Sequence, residues 1–273
     1  FDDPGTYHLY FGDEDARPGT IITFFPHENA KRGIVGDGQV GVTSYAIPLG
    51  SLKFWEDRLD KFKVKHEKIN RFNEDSILFE DPHGLKIELV ERDQGQVNTW
   101  EVDDIDSSLA IKGFAGAILY SRLPEDTAET LEKLMGLERI GQEGQYIRFK
   151  SSADIGNIVD VKTSSRGRGI NSVGTVHHIA WRADDDLDQV EWQELAKENG
   201  FGVTEVRDRN YFKSIYFRER GGILFEIATD GPGFTIDEEK DSLGQDLKLP
   251  PQYENYREKL EKSLPAINLE IGE

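Results

Sequence analysis

The chain has no cysteine among its 273 residues, and this absence excludes several kinds of chemistry. Without thiols there are no disulfides, no thiolate metal ligands and no cysteine nucleophile. A chain without cysteine fits a reducing compartment, so we expect a cytoplasmic protein. Positive charge is also scarce, since 33 Lys and Arg stand against 52 Asp and Glu and give a net charge of −19. Nucleic acids and anionic membranes attract clustered positive charge, so neither is an expected partner.

Long apolar runs and methionines are the next things that the sequence has little of. No stretch approaches the roughly 18 apolar residues of a transmembrane helix, so none is predicted. The single methionine is Met135 and the sequence starts at Phe1, from which we expect that a further N-terminal segment belongs to the natural protein. Hydrophobic residues make up 37% and aromatic residues 10% of the chain, which is enough for a substantial core.

A repeated unit is present near the end of the sequence. Alternating apolar residues and one helical pattern predict the order strand, helix, strand, strand, strand. The segments are "VHHIAWRA" (176–183), "LDQVEWQELAKEN" (187–199), "GVTEVRD" (202–208), "YFKSIYFRE" (211–219) and "GILFEIATD" (222–230). Acidic residues at 184–186 are suitable caps for the helix.

The same order begins again at "VGVTSYAIP" (40–48) and at "GAILYSR" (116–122). The segments "YHLYFGD" (7–13) and "TIITFFPH" (20–27) match the second half of the unit alone. The sequence therefore predicts an α+β fold of four tandem βαβββ modules, the first of them truncated at its N-terminal side.

We predict a division of the chain into two halves and a tail. Residues 1–110 form the N-terminal half, with the partial first module and the second module. Residues 111–232 form the C-terminal half, with the third and fourth modules and the metal site described next. Residues 233–273 form a C-terminal tail.

A glycine precedes the last strand of each copy and allows the copies to be aligned. The glycines are Gly19, Gly84, Gly156 and Gly222, and the residues four positions later are Thr23, Glu88, Asp160 and Glu226. The first strands align so that His178 corresponds to Ser44. The last copy alone then has a histidine on its first strand and a glutamate on its last, a pair that can bind a divalent metal. A carboxylate in the apolar strand around Glu226 is costly to bury without a cation or hydrogen bonds.

The adjacent histidines His177 and His178 leave one alternative open. Neighbouring side chains of a strand point to opposite faces, so both cannot reach one ligand from the same face. Considered alone, the pair favours one core and one exposed histidine, and Glu226 alone is more typical of a solvent-facing residue.

Several phrases of this sequence resemble a known family. The repeated βαβββ order, "HHIAW" and "GGILFEIATD" resemble the vicinal oxygen chelate superfamily, which includes glyoxalases, bleomycin-resistance proteins and extradiol dioxygenases. The phrases "TYHLYFGDE", "SYAIPLGSLKFW", "RNYFKSIYFRERGG" and "GFTIDEEKDSLGQDLKLPPQYE" more narrowly resemble the hydroquinone-type ring-cleaving dioxygenases. This similarity spans nearly the whole chain.

The resemblance implies Fe(II) bound by two histidines and one glutamate, the facial triad of non-haem iron oxygenases. His178 and Glu226 match two of these ligands, and the third, a histidine, is expected in an N-terminal strand that precedes Phe1. Mn(II) is the alternative metal. Three catalytic residues also match: His177 close to the metal, Arg209 as a partner for an anionic substrate oxygen, and Tyr216 as a hydrogen-bond donor.

The expected function is therefore an Fe(II)-dependent, extradiol-type dioxygenase that inserts O₂ into the ring of a hydroquinone or catechol. The expected partners are a small aromatic diol and O₂, and the expected role is quinone detoxification in aromatic catabolism. A glyoxalase-type metalloenzyme and a non-catalytic quinone- or drug-binding protein of the same fold remain alternatives. The sequence also leaves a homo-oligomer open.

Overall fold

The computed structural model describes residues 3–27 and 29–267. This part of the chain forms short strands and four α-helices. The strands are β1 (Leu9–Phe11), β2 (Ile22–Phe24), β3 (Gln39–Ile47), β4 (His66–Arg71), β5 (Glu74–Glu80), β6 (Lys86–Glu91), β7 (Gly113–Tyr120), β8 (Glu138–Glu143), β9 (Tyr146–Lys150), β10 (Ile158–Lys162), β11 (Ile179–Ala183), β12 (Arg207–Asp208), β13 (Lys213–Arg218) and β14 (Leu224–Thr229). The helices are α1 (Leu52–Lys61), α2 (Pro124–Glu129), α3 (Asp186–Glu198) and α4 (Arg257–Ser263).

These elements form the four predicted modules, and the α+β prediction is confirmed. Module 1 consists of β1 and β2, module 2 of β3, α1 and β4–β6, module 3 of β7, α2 and β8–β10, and module 4 of β11, α3 and β12–β14. The four aligned glycines all have left-handed backbones, with φ of 83° at Gly19, 96° at Gly84, 65° at Gly156 and 95° at Gly222. Each glycine therefore makes the same turn into the last strand of its module, a turn that other residues adopt only at a cost.

Three sheets arise from the modules. The largest has eight strands in the order β4-β5-β6-β3-β7-β10-β9-β8, and β3 runs antiparallel to β7 where modules 2 and 3 meet. Module 4 forms a four-stranded sheet in the order β11-β14-β13-β12, and β1 pairs with β2 alone. The eight-stranded sheet joins strands from both sides of residue 110, and the division into halves at that point stays a prediction.

The main core lies between modules 3 and 4. Its largest side chains with almost no exposure include Phe149 of module 3 and Phe217 and Phe225 of module 4. Helix α3 begins where the acidic residues predict, since the Asp185 carboxylate accepts hydrogen bonds from the backbone N–H groups of Leu187 and Asp188. Packing between the two modules thus holds the module 4 sheet in place.

One buried amide ties α3 to the module 4 sheet. The Gln189 side-chain N–H groups donate to the carbonyl oxygens of Lys213 and Ile227, both at 2.8 Å. These carbonyls belong to β13 and β14, so the helix fixes the hairpin that carries Tyr216 and Glu226.

Two sequence-based expectations about strands are wrong. The strand predicted from residue 176 starts at Ile179, so His177 and His178 precede it. The segment 202–208 is a strand at Arg207–Asp208 alone, with an isolated bridge from Val203 to Phe217. In both places a strand-like sequence lies at the edge of a sheet, where fewer backbone hydrogen bonds hold it extended.

The alignment of His178 with Ser44 is also wrong, by two residues. In the parallel pairs of the modules, Ala180 stands opposite Glu226 and Ser44 stands opposite Glu88. Val42, two residues before Ser44, therefore has the position that His178 has two residues before Ala180. The ends of strands define such an alignment poorly, whereas hydrogen-bond register fixes it.

Among the described residues, no helix is both long enough and apolar enough to cross a membrane.

Candidate active site

Glu226 lies at the centre of the module 4 sheet, in β14 between β11 and β13. The residue is 3% exposed. Tyr216 is its direct partner across the antiparallel pair of β13 and β14, so both side chains point to the same face. The Tyr216 hydroxyl donates a hydrogen bond to Glu226 Oε1 at 2.8 Å. The register of the hairpin thus places the Glu226 carboxylate and the Tyr216 hydroxyl in direct contact.

His178 meets the same carboxylate from the other side. Its Nε2 lies 2.6 Å from Glu226 Oε2, and its side chain is 24% exposed. Because β11 begins only at Ile179, the alternation of a strand does not apply to the two histidines. His177 turns towards its neighbour, and the Nδ1 atoms of the two rings are 2.9 Å apart. The expectation of opposite faces is therefore wrong, and both histidines belong to one cluster.

The pKa of His177 is lowered, chiefly by loss of water around its ring and next by the neighbouring His178.

Arg209 approaches Tyr216 from a turn that follows β12. Asn210 has a left-handed backbone with φ of 68°, which lets the chain reverse directly after Arg209. The guanidinium carbon of Arg209 is 5.5 Å from the centroid of the Tyr216 ring, and its Nη2 is 3.5 Å from the Tyr216 hydroxyl. Ser214 also donates to that hydroxyl, at 3.2 Å. The structure therefore brings all five predicted site residues into one group.

Tyr216 keeps its proton at neutral pH. Burial, followed by the nearby Glu226 carboxylate, raises the pKa of Tyr216 to about 12. A phenol that is protonated and already aimed at a carboxylate can donate to an anion that binds beside it.

The chemistry of these donors fits a metal ion. An imidazole nitrogen and a carboxylate oxygen lie 2.6 Å apart, and the carboxylate is almost fully buried between a histidine and a tyrosine. A buried carboxylate in such surroundings is stabilised by a cation. Within residues 3–27 and 29–267, no three side chains of His, Cys, Asp and Glu are grouped to hold a metal. His178 and Glu226 thus fit two positions of a facial triad, and the third histidine stays a prediction.

Tyr10 of module 1 also reaches the site and was missed by the sequence reasoning. It stands opposite Thr23 across β1 and β2, as Tyr216 stands opposite Glu226 across β13 and β14. Tyr10 therefore has the same place in module 1 that Tyr216 has in module 4. The signal was present in the repeat, but the three-residue strands of module 1 give too little pattern to align without the pairing.

His8 contacts Tyr10 and was not singled out by the sequence. Its Nδ1 is 2.9 Å from the Tyr10 hydroxyl, and its ring stacks on Phe25 with centroids 4.5 Å apart. Burial lowers the pKa of His8 to about 4, so the ring is neutral at pH 7. The pair adds a second phenol and a neutral imidazole to the module 1 side of the site.

An aromatic wall connects module 1, module 4 and the tail. The centroid of the Tyr10 ring is 4.8 Å from that of Phe234, 6.0 Å from Tyr211 and 6.4 Å from Phe212. Phe234 lies in the tail directly after module 4, and it stacks on Tyr211 at 4.8 Å. These four rings, called the aromatic wall below, form a group of aromatic contacts that are mostly edge to face.

Comparison with known proteins agrees with this geometry. The sequence model of the family described as "Glyoxalase/Bleomycin resistance protein/Dioxygenase superfamily" matches residues 115–227 of this chain. A Bacillus subtilis protein named "Putative ring-cleaving dioxygenase MhqO" is 58% identical over 264 residues, which cover 97% of this chain and 85% of that protein. The chain belongs to this superfamily.

Two further members of the superfamily resemble the whole chain. The "Chlorohydroquinone/hydroquinone 1,2-dioxygenase" of Sphingobium indicum is 33% identical over 94% of this chain and 83% of its own length. A crystal structure described as a "putative dioxygenase" from Bacillus subtilis superimposes with a TM-score of 0.97 at 56% identity. It covers 98% of this chain and 87% of the other. The prediction of a vicinal oxygen chelate fold related to ring-cleaving dioxygenases is confirmed.

Proposed function

We propose that this chain is an Fe(II)-dependent ring-cleaving dioxygenase that acts on hydroquinones or catechols by extradiol-type chemistry. The observation that carries the proposal is the convergence of His178 and Tyr216 on the Glu226 carboxylate, with Arg209 against the Tyr216 hydroxyl. The names of the relatives that match nearly the whole chain support the same reaction class.

His178 and Glu226 are the residues that would hold the metal, with Fe(II) as the first choice and Mn(II) as the alternative. When bound, such a metal supplies one place at which an anionic aromatic oxygen and O₂ can react together. The expected third ligand is a histidine that precedes Phe1. Every remaining task falls to side chains of this chain.

Arg209 and Tyr216 are placed to receive the charge of the substrate. The Arg209 guanidinium lies over the Tyr216 ring and contributes positive charge where an ionised hydroxyl binds. The Tyr216 hydroxyl keeps its proton and donates to Glu226 Oε1, and it can instead donate that proton to a substrate or oxygen atom nearby. His177, next to His178, is a second group that can hold a proton at this position.

The aromatic wall fits a planar ring as substrate. Tyr10 and Phe234 pack against each other with ring centroids 4.8 Å apart, and apolar side chains beside a polar cluster are typical of a pocket for a small aromatic molecule. A small aromatic diol is therefore the proposed partner together with O₂. Quinone detoxification in the cytoplasm is the proposed role, and the oligomeric state stays open.

The test is oxygen uptake by the full-length protein after anaerobic loading with Fe(II). Methylhydroquinone is added first and catechol second. We expect O₂ consumption that is stoichiometric with substrate and that is abolished in His178→Ala and in Glu226→Ala. His66→Ala is the matched control, because His66 lies on β4 and its Nδ1 contacts the Val64 carbonyl oxygen at 3.0 Å.

Each other outcome has a defined meaning. No uptake with either diol, although one iron is bound tightly, indicates another substrate or the proton-transfer chemistry of a glyoxalase. No uptake and no bound metal contradicts the proposal and favours a quinone- or drug-binding protein. Loss of activity in His66→Ala as well would show that the assay reports folding and not the site.

A further inference from the structure

Modules 2 and 3 each contain a buried carboxylate at the position equivalent to Glu226. In the parallel pairs, Glu88 stands opposite Ser44 and Asp160 opposite Ile118, as Glu226 stands opposite Ala180. Both carboxylates are at most 2% exposed. The eight-stranded sheet therefore brings together two residues that its symmetry relates to the metal-binding glutamate.

The equivalents of His178 in these modules cannot bind a metal. Val42 takes this position in module 2, and Gly116, two residues before Ile118, takes it in module 3. A Cβ atom on Gly116 would lie 1.7 Å from the Ile158 carbonyl oxygen, so no side chain fits there without a shift of the backbone. Modules 2 and 3 have kept the carboxylates without the imidazoles.

The space between the two carboxylates is filled by Arg71. Its Nη2 donates to Glu88 Oε1 and Oε2 at 2.9 and 3.0 Å, and its Nε donates to Asp160 Oδ2 at 2.7 Å. The Arg71 side chain is 9% exposed. One guanidinium thus joins a carboxylate of module 2 to a carboxylate of module 3, as a shared metal would.

The neighbours of Arg71 complete a closed, nearly neutral cluster. Arg148 donates from Nε and Nη2 to the Asp160 carboxylate at 2.7 and 2.9 Å, and Ser44 and Ser76 donate to Glu88 at 2.5 and 2.8 Å. Arg148 and Arg92 both pair with Glu74. Three guanidinium groups therefore balance three carboxylates. The cavity left among them is about 10 Å³, room for no more than one water molecule.

We propose that Arg71 is a built-in cation that replaces a metal ion between modules 2 and 3. Its removal then uncovers a divalent-cation site formed by Glu88 and Asp160. The proposal rests on the register and on the buried contacts of Arg71, and it does not depend on the reaction proposed for the His178 site. The loss of Arg71 leaves three carboxylates against two guanidinium groups, and the space of the side chain lies directly between two of those carboxylates. Carboxylate and hydroxyl oxygens are the donors that Mn²⁺ accepts.

The test compares Arg71→Ser with the unsubstituted full-length protein in the presence of MnCl₂. Bound Mn²⁺ is counted by equilibrium dialysis and by the loss of its free electron paramagnetic resonance signal. We expect one additional Mn²⁺ per chain in Arg71→Ser, counted as a difference, so that metal bound at His178 and Glu226 cancels. We also expect a Tm about 10 °C lower without metal, which rises again with Mn²⁺ because the ion binds the folded state.

Two matched variants separate this site from nonspecific binding. Arg71→Ser combined with Glu88→Gln removes one of the two proposed ligands and should bind no additional Mn²⁺. Arg58→Ser, on α1, removes a guanidinium that pairs with Asp104 and should bind no additional Mn²⁺ either. If Arg71→Ser does not fold in buffer, refolding with and without Mn²⁺ replaces the melting experiment.

The proposal is overturned if Arg71→Ser binds the same amount of Mn²⁺ as the wild type and Mn²⁺ does not raise its Tm. It is overturned equally if Mn²⁺ does not restore folding of an otherwise insoluble variant. Additional Mn²⁺ that persists in the double variant places the ion elsewhere and has the same consequence.

Discussion

Two regions of this molecule are built on the same strand pairing and have opposite properties. Between modules 2 and 3, Glu88 and Asp160 are neutralised by arginines and sealed from water. In module 4, Glu226 is met by His178 and Tyr216, with His178 open to solvent over 24% of its side chain. The carboxylate is common to both regions. The partner therefore decides whether a buried carboxylate serves as an internal cross-link or, as we propose for Glu226, as part of a reactive site.

The difference is also one of free energy. A guanidinium satisfies a buried carboxylate with two hydrogen bonds and a full charge, which makes the Glu88 region complete within the protein. Glu226 has partners whose charge depends on protonation, so its ionised form gains more from a cation that arrives from outside. A site of this kind gives up some stability of the fold in exchange for the ability to bind.

The largest difference is expected from the same substitution made in both regions. Glu88→Gln breaks a buried ion pair and leaves Arg71 partly uncompensated, so unfolding should become easier by about 3–5 kcal/mol. Glu226→Gln leaves no arginine unpaired and should change the free energy of unfolding by about 1 kcal/mol, while abolishing oxygen uptake. Urea titrations followed by circular dichroism measure both values. Equal destabilisation by the two substitutions would contradict the contrast.

Tyr216→Phe tests what the hydroxyl group beside Glu226 contributes to the module 4 site. The variant keeps the ring that packs under Arg209 and removes the hydroxyl that donates to Glu226. Loss of a positioned proton donor should lower kcat by about 10²-fold. Metal content, measured by atomic absorption, should stay at the wild-type value. A fall in metal content together with activity would instead make Tyr216 a residue that positions the ligand Glu226.

Arg209→Lys should have a smaller effect, about tenfold on kcat/KM. Lysine keeps the positive charge but lacks the planar guanidinium that lies 5.5 Å from the Tyr216 ring. Initial rates at several concentrations of methylhydroquinone measure the change. Rates that match those of the wild type at every concentration would remove Arg209 from the substrate contacts and leave it as a loop residue.

Tyr10→Phe is expected to have the smallest effect. The ring remains in the aromatic wall, and only the hydroxyl that meets His8 is lost. We expect KM for a hydroquinone to rise by about threefold to tenfold with little change in kcat, the cost of one neutral hydrogen bond. A change in kcat with KM unaltered would show that Tyr10 takes part in the chemical step and not in binding.

Much of this architecture could be predicted because each module repeats one local pattern. The glycine before each last strand needs a left-handed backbone, and the apolar alternation that follows it marks a half-buried strand. The candidate pair His178 and Glu226 followed from the same repeat. The register between strands could not be read in this way, which is why Ser44 was aligned two residues out.

The rest of the site depends on contacts between distant parts of the chain. His177 can approach His178 only because the strand starts late, and that start is set by pairing with β14. Tyr10 lies in a strand of three residues that His8 directly precedes, and nothing local marks the two residues as neighbours of module 4. Arg71 looks like an ordinary residue at the end of β4, and its two carboxylate partners lie 17 and 89 positions away.

The aromatic wall has a consequence for how the protein is made. Tyr10 contacts Tyr211 and Phe234, so strand β1 can make these contacts only after the last module has been synthesised. At about 5–20 residues per second, the ribosome adds Tyr211 roughly 10–40 s after Tyr10. Modules 2 and 3 can pair around Arg71 during that interval, because its carboxylate partners Glu88 and Asp160 have been synthesised. A nascent chain that stops before β14 lacks both Glu226 and the module 4 side of the main core, so the candidate site and the core are completed late in synthesis.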